Sequence, residues 1–416
     1  MQERAISALG VVVLLATAYA CCPRERRAHV QPRTVLLGLG LLLAIAVLVL
    51  KTPARAGFDW VNSAVSAMLE FSKQGAAFMF GSLVLDTKSF GFVFAFQVLP
   101  TIIFFAALMS VLYHVGVMPL LVRGLGRLLA RTLRVSGAES FSTVADIFVG
   151  QTEAPLVIRP YIARLTHSEL MACMTAGFAT TGGGVLAAYV LMLRDHVPGI
   201  AGHLVACSVM CAPASLVIAK LMLPETEAPE TLGTTPVTPP SNAGSLLEAI
   251  AIGTGDGLRL AANVGAMLIV FLALTALVNA GLDALGRGLF GTPLSLERLL
   301  GWLFWPLAWL MGLPAQDVPK LASLLGQKTV FNEFVAYSQL SSALAADPTW
   351  LSERSRIIAS YALCGFANFG SIGIQIGGYA GLAPERRGDL ARLGPRAMLG
   401  GLLTTCLVAC VAGVLV

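Results

Sequence analysis

The stretch Asp146-Ile-Phe-Val-Gly-Gln-Thr-Glu-Ala-Pro-Leu156 lies between long apolar segments, yet it carries two acids, an amide and a hydroxyl. It belongs to a longer polar segment, Glu139 to Arg164, which is too polar to cross lipid by itself. Polar segments are tolerated at membrane depth when they are buried in protein or line a cavity. The stretch therefore predicts a re-entrant hairpin inside a membrane protein.

The composition of the whole chain supports a membrane fold. Of its 416 residues, 56% are hydrophobic and 12% are charged, whereas soluble proteins carry about 25% charged residues. The net charge of +5 comes from arginines beside apolar runs, which indicates cytoplasmic loops rather than a nucleic-acid partner. The eight cysteines form no CxxC pair, so we interpret them as small buried hydrophobic residues.

Apolar segments of near-span length predict an all-α polytopic protein with eight transmembrane helices. The first segment is followed by arginines at positions 24, 26, 27 and 33. Because positive residues stay in the cytoplasm, we expect a retained span with its N-terminus outside rather than a cleaved signal peptide. After eight crossings the C-terminus is outside as well. The predicted spans are residues 6–22, 35–50, 92–117, 166–193, 201–223, 247–282, 357–379 and 397–416.

Two further segments predict helices that lie at the membrane surface. Residues 54–81 place Trp60 and several phenylalanines among polar residues, and residues 121–135 carry four arginines on one helical face. Residues 224–246 contain no Lys or Arg and are rich in Pro, Thr and Glu, which predicts a flexible loop that divides the chain.

The two halves of the chain contain related motifs. Gly150-Gln-Thr-Glu153 resembles Gly326-Gln-Lys-Thr329, and Gly177-Phe-Ala-Thr-Thr-Gly182 resembles Gly365-Phe-Ala-Asn-Phe-Gly370. Each half therefore predicts a hairpin, a broken glycine-rich helix and a further helix. Interrupted helices at matching positions of an inverted repeat are the best sequence indication of a transporter's midplane site.

This pattern divides the chain into five parts. Each repeat comprises a hairpin, a broken helix and a helix, and the remaining parts supply the scaffold. The parts are the N-terminal spans with the interfacial helix and part of the scaffold (1–135), the first transport repeat (136–223), the loop (224–246), the long scaffold helix (247–295) and the second transport repeat (296–416).

Several blocks of sequence resemble the concentrative nucleoside transporters of bacteria. They occur in the order and spacing of that family, roughly from residue 92 to the C-terminus. The resemblance implies eight spans, two opposed re-entrant hairpins, and a homotrimer in the inner membrane that takes up nucleosides by alternating access. The blocks are residues 146–156, Arg159-Pro-Tyr161, Asn263-Val-Gly-Ala-Met-Leu-Ile269, Asn332-Glu-Phe-Val-Ala-Tyr337 and Gly365-Phe-Ala-Asn-Phe-Gly-Ser-Ile372.

The resemblance also implies a set of substrate-binding residues. In the family, the first hairpin and its helix contact the base and the second repeat contacts the ribose. Glycine with glutamine at the first two positions is compatible with uptake of pyrimidine and purine nucleosides. The residues are Gly150, Gln151, Thr152, Glu153, Val185, Glu333, Phe366, Asn368 and Ser371.

The chemistry of these side chains agrees with that assignment. Gln151 and Thr152 are able to hydrogen-bond a base edge, and Gly150 lets the backbone approach closely. Glu333 supplies a charged partner for hydroxyls. The alternative is that these groups only satisfy the backbone of broken helices. That alternative suits an acid less well, because an acid inside the membrane is costly without a function.

By the same resemblance, a coupling cation lies between the first hairpin and the break in the following helix. Its ligands are the side chain of Asp146, the carbonyls of Val149 and Thr181, and the hydroxyl of Thr180. Hard oxygen ligands suit sodium. Sodium-coupled members usually have asparagine in place of Asp146 and serine in place of Thr180. Because a carboxylate also binds a proton, the sequence predicts sodium symport, with proton symport through Asp146 as the alternative and no cofactor.

One motif favours a different class of protein. Gly253-Thr-Gly-Asp256 fits the GxGD pattern of intramembrane aspartyl proteases. That chemistry needs a second aspartate facing the first from another span, and the only intramembrane candidate, Asp146, already belongs to the hairpin motif. We therefore expect Asp256 to lie in a loop or at a helix start, and we expect a transporter rather than an enzyme.

Overall fold

The computed structural model describes residues 2–51, 55–86, 93–234 and 243–416, and within these ranges the chain is helical with no strand. The helices of eight or more residues are α1 (Gln2–Ala20), α2 (Pro32–Lys51), α3 (Arg55–Phe80), α4 (Leu99–His114), α5 (Val117–Leu133), α6 (Gly137–Phe148), α7 (His167–Ala179), α8 (Gly183–Leu193), α9 (Ile200–Met222), α10 (Leu246–Phe290), α11 (Leu296–Leu310), α12 (Val318–Val330), α13 (Glu333–Ala346), α14 (Glu353–Leu363), α15 (Phe369–Leu382) and α16 (Arg387–Leu415).

The predicted membrane architecture is confirmed. In the part of the chain that the structure describes, seven helical segments are long and apolar enough to cross a membrane. The remaining predicted span, residues 357–379, is built from two shorter helices, α14 and α15, separated at residues 364–368. The seven segments are Gln2–Ala20, Pro32–Lys51, Phe94–His114, His167–Leu193, Ile200–Met222, Leu246–Gly288 and Pro384–Leu415.

Both predicted re-entrant hairpins are present. The first arm of hairpin 1 is α6, its turn comprises residues 149–153, and its second arm consists of the short helices Ala154–Val157 and Arg159–Arg164. Hairpin 2 consists of α12 and α13, with its turn at residues 331–332. Caps fix where the arms begin: Ser136 and Glu139 form a capping box at α6, and Asn332 Oδ1 accepts the N–H of Val335 over 2.9 Å at α13.

Each hairpin is followed by a broken helix, and the two breaks touch. The first break separates α7 from α8 at residues 180–182, and the second separates α14 from α15. Gly365 in the second break has a φ of +92°. A Cβ at Gly365 would lie 2.5 Å from the carbonyl oxygen of Ala179, so only glycine fits this crossing.

The repeat is confirmed in its order of elements, but the residue pairing predicted from the motifs is wrong. Gly150 lies in the turn of hairpin 1 with a φ of +90°, whereas Gly326 lies inside α12 and packs against Leu300. Gly177 likewise lies inside α7, while Gly365 lies in a break. Short glycine motifs recur for different reasons, close packing in one place and a turn in the other.

The long helix α10 explains the first glycine of the GxGD pattern, Gly253. It extends beyond the predicted 247–282, and Ser110 Oγ of α4 donates to the carbonyl of Ala249 over 2.8 Å. A Cβ at Gly253 would lie 2.8 Å from Cα of Ala107, so this glycine serves close helix packing. Asp256 is exposed and lies eleven residues into α10, so the predicted position in a loop or at a helix start is wrong.

The surface helix and the loop follow the predicted pattern only in part. Helix α5 buries Val122 and Leu129 and exposes its arginines, as expected for an amphipathic helix. In the predicted flexible loop, Thr231 is 3% exposed and accepts the N–H groups of Gly137 and Ala138 at the start of α6. This part of the loop is therefore packed. Residues 235–242 of the loop, and residues 54 and 92 at the predicted ends of two other segments, lie outside the described residues.

Candidate functional site

A buried carboxylate lies where hairpin 2 meets both broken helices. Glu333, the first residue of α13, is 3% exposed. The hydroxyl of Tyr189 on α8 donates to its Oε1 over 3.0 Å, and Nδ2 of Asn368 donates to its Oε2 over 3.0 Å. Hydrogen bonds to an ionised acceptor are stronger than neutral ones. Hairpin 2 is thus tied to both repeats through one side chain.

Asn368 has a second role, because it begins α15. Its Oδ1 accepts the N–H of Ser371 over 2.8 Å, which is the N-cap arrangement. Ser371 is 2% exposed, and its Oγ accepts from Nε2 of Gln151 over 3.3 Å. The second break and the turn of hairpin 1 are therefore linked through two neighbouring polar side chains.

Gln375 was not among the predicted site residues, yet it lies at the centre of the polar network. Its Nε2 donates to Oε1 of Gln151 over 3.0 Å and to the carbonyl of Met174 over 3.1 Å. Its own Oε1 is buried without a hydrogen-bond partner, although buried polar atoms are normally paired. The signal that marks this residue is a single amide inside the apolar run Ile372–Ile376. Tyr189 was missed for the same reason: it lies in an apolar helix.

The remaining predicted substrate residues fall into two groups. Val185 is buried just after the first break, and Phe366 is half-buried within the second break. Thr152 and Glu153 are exposed, so the structure does not bring them into the buried network. Glu153 lies close enough to Asp256 of α10 for the two carboxylates to repel each other, so the turn of hairpin 1 faces the long helix.

Hairpin 1 contacts the first break, and two of the four predicted cation ligands lie on each side of this contact, Asp146 and Val149 in hairpin 1 and Thr180 and Thr181 in the break. Asp146 is 1% exposed, and its Oδ2 is buried without a hydrogen-bond partner. A Cβ at Gly182 would lie 3.0 Å from the carbonyl oxygen of Val149, so hairpin and break are in contact. Thr180 is fully buried and its hydroxyl donates to the carbonyl of Ala176 over 2.9 Å.

This arrangement supplies hard oxygen atoms in a buried place. The hydroxyl of Thr180 donates its proton to the backbone, so its lone pairs remain for a ligand. The side chain of Thr181 contacts Sγ of Cys364 at 3.3 Å, which leaves its carbonyl as its contribution to a cation. A buried carboxylate oxygen without a donor suits a bound cation, because burying an unpaired charge is costly.

A cavity lies away from the hairpin turns. It measures about 300 Å³ and is lined by residues that include Arg134, Glu139, Lys220 and Glu225. Nζ of Lys220 lies 2.7 Å from Oε2 of Glu139, so a closed ion pair forms one wall. None of the polar residues of the two hairpin turns lines this cavity. We therefore locate the candidate site by the chemistry of its residues.

Family models of a single transporter class cover most of the chain. The N-terminus of Na+ dependent nucleoside transporters matches residues 9–83, and their C-terminus matches residues 203–413. A nucleoside recognition model, called Gate, matches residues 95–195 between them. These boundaries leave no long part of the chain unmatched.

Relatives of known sequence agree with the family models. The chain is 43% identical to an uncharacterized transporter, YutK, of Bacillus subtilis, over 98% of both chains. It is 40% identical to sodium/nucleoside cotransporter 1 of Rattus norvegicus, over 99% of this chain and 64% of that protein. The chain therefore spans about three-fifths of the length of its mammalian relatives.

Solved structures of one protein match over nearly the whole fold. CNTnw in an inward-facing substrate-bound state has a TM-score of 0.92 and 42% identity, covering 99% of this chain and 98% of that one. Variants of CNTnw in outward-facing and intermediate states match with TM-scores of 0.92 and 0.91. The fold of this chain therefore matches the inward-facing, outward-facing and intermediate states of CNTnw about equally well.

Proposed function

Because the chain belongs to the Na+ dependent nucleoside transporter family, whose members are transporters and not enzymes, we propose that it takes up nucleosides across the membrane together with sodium ions. The observation that carries the proposal is the buried Glu333, whose two oxygens accept from Tyr189 and Asn368. A carboxylate held between two broken helices at membrane depth is costly unless it serves a ligand.

The network divides naturally between the two parts of a nucleoside. Glu333 and Asn368 offer a carboxylate and an amide, which are suited to the ribose hydroxyls. Gln151 and Gln375 offer amides, and the free Oε1 of Gln375 is an acceptor for a donor on a base edge. Amides accept and donate, so this side suits pyrimidine and purine bases alike.

Sodium is the proposed coupling ion, and Asp146, Val149, Thr180 and Thr181 are its proposed ligands. Support comes from the unpartnered carboxylate oxygen of Asp146 and from the contact of Val149 with the first break. The family description names sodium. Proton symport through Asp146 remains the alternative, since a carboxylate binds either ion.

We extend the proposal to assembly and orientation. The chain would act as a homotrimer in the inner membrane, with α10 and α4 in a static scaffold and the hairpins with their broken helices in a moving unit. Both termini would lie outside, which follows from the arginines after the first span and those at positions 386, 387, 392 and 396. The inward-facing and outward-facing relatives are consistent with alternating access.

The test is uptake by purified protein in proteoliposomes. Labelled uridine and adenosine are offered under a sodium gradient, under a proton gradient, and with each gradient collapsed by an ionophore. We expect accumulation above equilibrium only with an inward sodium gradient. Accumulation that follows the proton gradient without sodium would support the alternative, and absence of uptake under every gradient would contradict the proposal.

A further inference from the structure

Lys328, near the end of the first arm of hairpin 2, is fully buried. Its ammonium donates to the carbonyl of Cys364 over 2.8 Å, to the carbonyl of Ala362 over 3.0 Å and to Oγ1 of Thr405 over 3.2 Å. A lysine ammonium has three donors, and here each has a neutral oxygen. The residue therefore holds a full positive charge inside the protein, coordinated by oxygen atoms much as a metal ion would be.

The position of these oxygens explains why a cation is stable there. Ala362 and Cys364 lie at the C-terminal end of α14, where the last carbonyls lack helical partners and the helix dipole is negative. Lys328 also attracts the carboxylate of Glu333. The ammonium thus pairs with the free carbonyl groups of the second break and stabilises their negative partial charge. It lies beside the proposed ribose site.

The two repeats place Lys328 and Asp146 at equivalent positions. Asp146 lies two residues before the end of α6, and Lys328 lies two residues before the end of α12. Each helix is the first arm of a hairpin that faces the break of the following helix. In the first repeat the hairpin presents a carboxylate with an unpartnered oxygen, and in the second it presents an ammonium with all donors satisfied.

We propose that Lys328 is a built-in cation, which permanently fills in the second repeat the position that a mobile coupling ion takes in the first. The inference rests on the proposed function, because it takes the region of Asp146 as the mobile-ion site. Its consequence is a coupling ratio of one cation for each nucleoside. A second mobile ion has no place at the second break, because Lys328 already occupies the carbonyl oxygens of Ala362 and Cys364.

Substitutions at Lys328 separate charge, oxygen ligation and packing. Lys328→Gln removes the charge and adds an amide oxygen to the set from Ala362, Cys364 and Thr405, which makes four hard oxygens suited to sodium. Lys328→Met has similar length but offers no oxygen. Lys328→Arg keeps the charge. Lys320→Gln is the matched control, since Lys320 lies on the same helix but donates to the carbonyl of Trp350, away from the break.

The experiment is a sodium titration of thermal unfolding in detergent, without nucleoside, at constant ionic strength. The dependence of stability on ligand concentration reports the number of ions that the folded state binds. We expect the slope of melting temperature against log sodium to be roughly twice as steep in Lys328→Gln as in the wild type. The Arg and Lys320→Gln proteins should keep the wild-type slope, and the Met protein should melt lower at every sodium concentration with the wild-type slope.

A wild-type slope in Lys328→Gln together with a wild-type melting temperature in Lys328→Met would overturn the inference. A measurement that needs no variant decides the matter if the substitutions prevent folding: the charge moved per uridine in wild-type proteoliposomes. One charge supports the built-in cation, and two charges refute it. A sodium slope in Lys328→Gln that the wild type lacks would support the role of Lys328 while contradicting the proposed sodium site at Asp146.

Discussion

Asn368 holds Glu333 by a hydrogen bond of 3.0 Å from Nδ2 to Oε2, and it uses its other side-chain atom, Oδ1, to start α15. One amide therefore joins the turn of hairpin 2 to the second broken helix. A ligand that hydrogen-bonds to Glu333 competes with the bond from Asn368 and therefore affects both hairpin 2 and the start of α15. This relationship links substrate binding to the parts that are proposed to move.

The substitution Glu333→Gln tests the ribose assignment. It removes a charge-assisted hydrogen bond, which is worth about 1.5–3 kcal/mol. We expect the affinity for uridine to fall at least tenfold, measured by uridine-dependent thermal stabilisation and by uptake. Glu353→Gln is the matched control, because Glu353 is exposed at the start of α14.

The same variant should respond differently to the sugar. The wild type should bind 2′-deoxyuridine or 3′-deoxyuridine less well than uridine wherever a hydroxyl contact is lost, and Glu333→Gln should reduce that difference. If Glu333→Gln binds uridine with wild-type affinity, the assignment of Glu333 to ribose fails.

The membrane architecture was predictable because it follows from composition and from segment length. A polar run between apolar helices leaves few options at membrane depth, so residues 139–164 predicted the first hairpin, and the related motif at residues 326–329 predicted the second. The break after Ala179 was predictable from neighbouring glycines and threonines. These properties are local in sequence.

The parts that were missed depend on contacts between distant segments. Gln375 and Gln151 are separated by 224 positions, and Tyr189 and Glu333 by 144. Packing decides which face of an apolar helix lines the site. The sequence therefore does not show whether an isolated amide or tyrosine on such a helix faces the site. The register between repeats was mistaken because the matched glycines serve different purposes. The equivalence of Asp146 and Lys328 follows from where the helices end.

Gln375→Leu tests the side of the network assigned to the base. The change removes the donor to Gln151 and to the carbonyl of Met174 and leaves both acceptors unpaired. We expect uridine affinity to fall by a few-fold to tenfold, corresponding to about 0.5–1.5 kcal/mol, with the ratio of uridine to 2′-deoxyuridine affinity unchanged. The control is Gln339→Leu at an exposed position of α13. A change in the sugar ratio would contradict the division of the network.

Gly182→Ala tests the contact between hairpin 1 and the first break. The new Cβ would lie 3.0 Å from the carbonyl oxygen of Val149 and 3.1 Å from the backbone of Gly150, so hairpin and break must separate. We expect the sodium concentration for half-maximal uptake to rise several-fold. Gly124→Ala is the control, because its Cβ enters open space on α5. Unchanged sodium dependence in Gly182→Ala would remove Val149 from the proposed ligand set.

Asp256→Asn separates transport from intramembrane proteolysis. Asp256 is exposed on α10, and the glycine before it at position 253 is explained by packing against α4. We expect uridine uptake within about twofold of the wild type, as is usual for substitutions at exposed positions. Loss of a proteolytic activity in this variant, together with a parent protein that takes up no nucleoside, would favour the protease.

In the proposed mechanism, the identity of the coupling ion depends on Asp146, whose Oδ2 is buried without a partner. Sodium and a proton compete for one carboxylate, so binding one ion displaces the other. With sodium as driver, acidification should raise the sodium concentration for half-maximal uptake. With a proton as driver, uptake should persist without sodium and increase as the pH falls.

Asp146→Asn removes the group that binds a proton and keeps an oxygen ligand. Under either driver, we expect the variant to lose most of the pH dependence of uptake while it keeps or gains sodium dependence. The measurement is uridine uptake by proteoliposomes across a matrix of pH and sodium concentrations, with the membrane potential clamped. Asp195→Asn is the control, because Asp195 is exposed after α8. A variant that retains the full pH profile and sodium response of the parent would place ion coupling at another acid, and Glu153 in the turn of hairpin 1 would be the next one to replace.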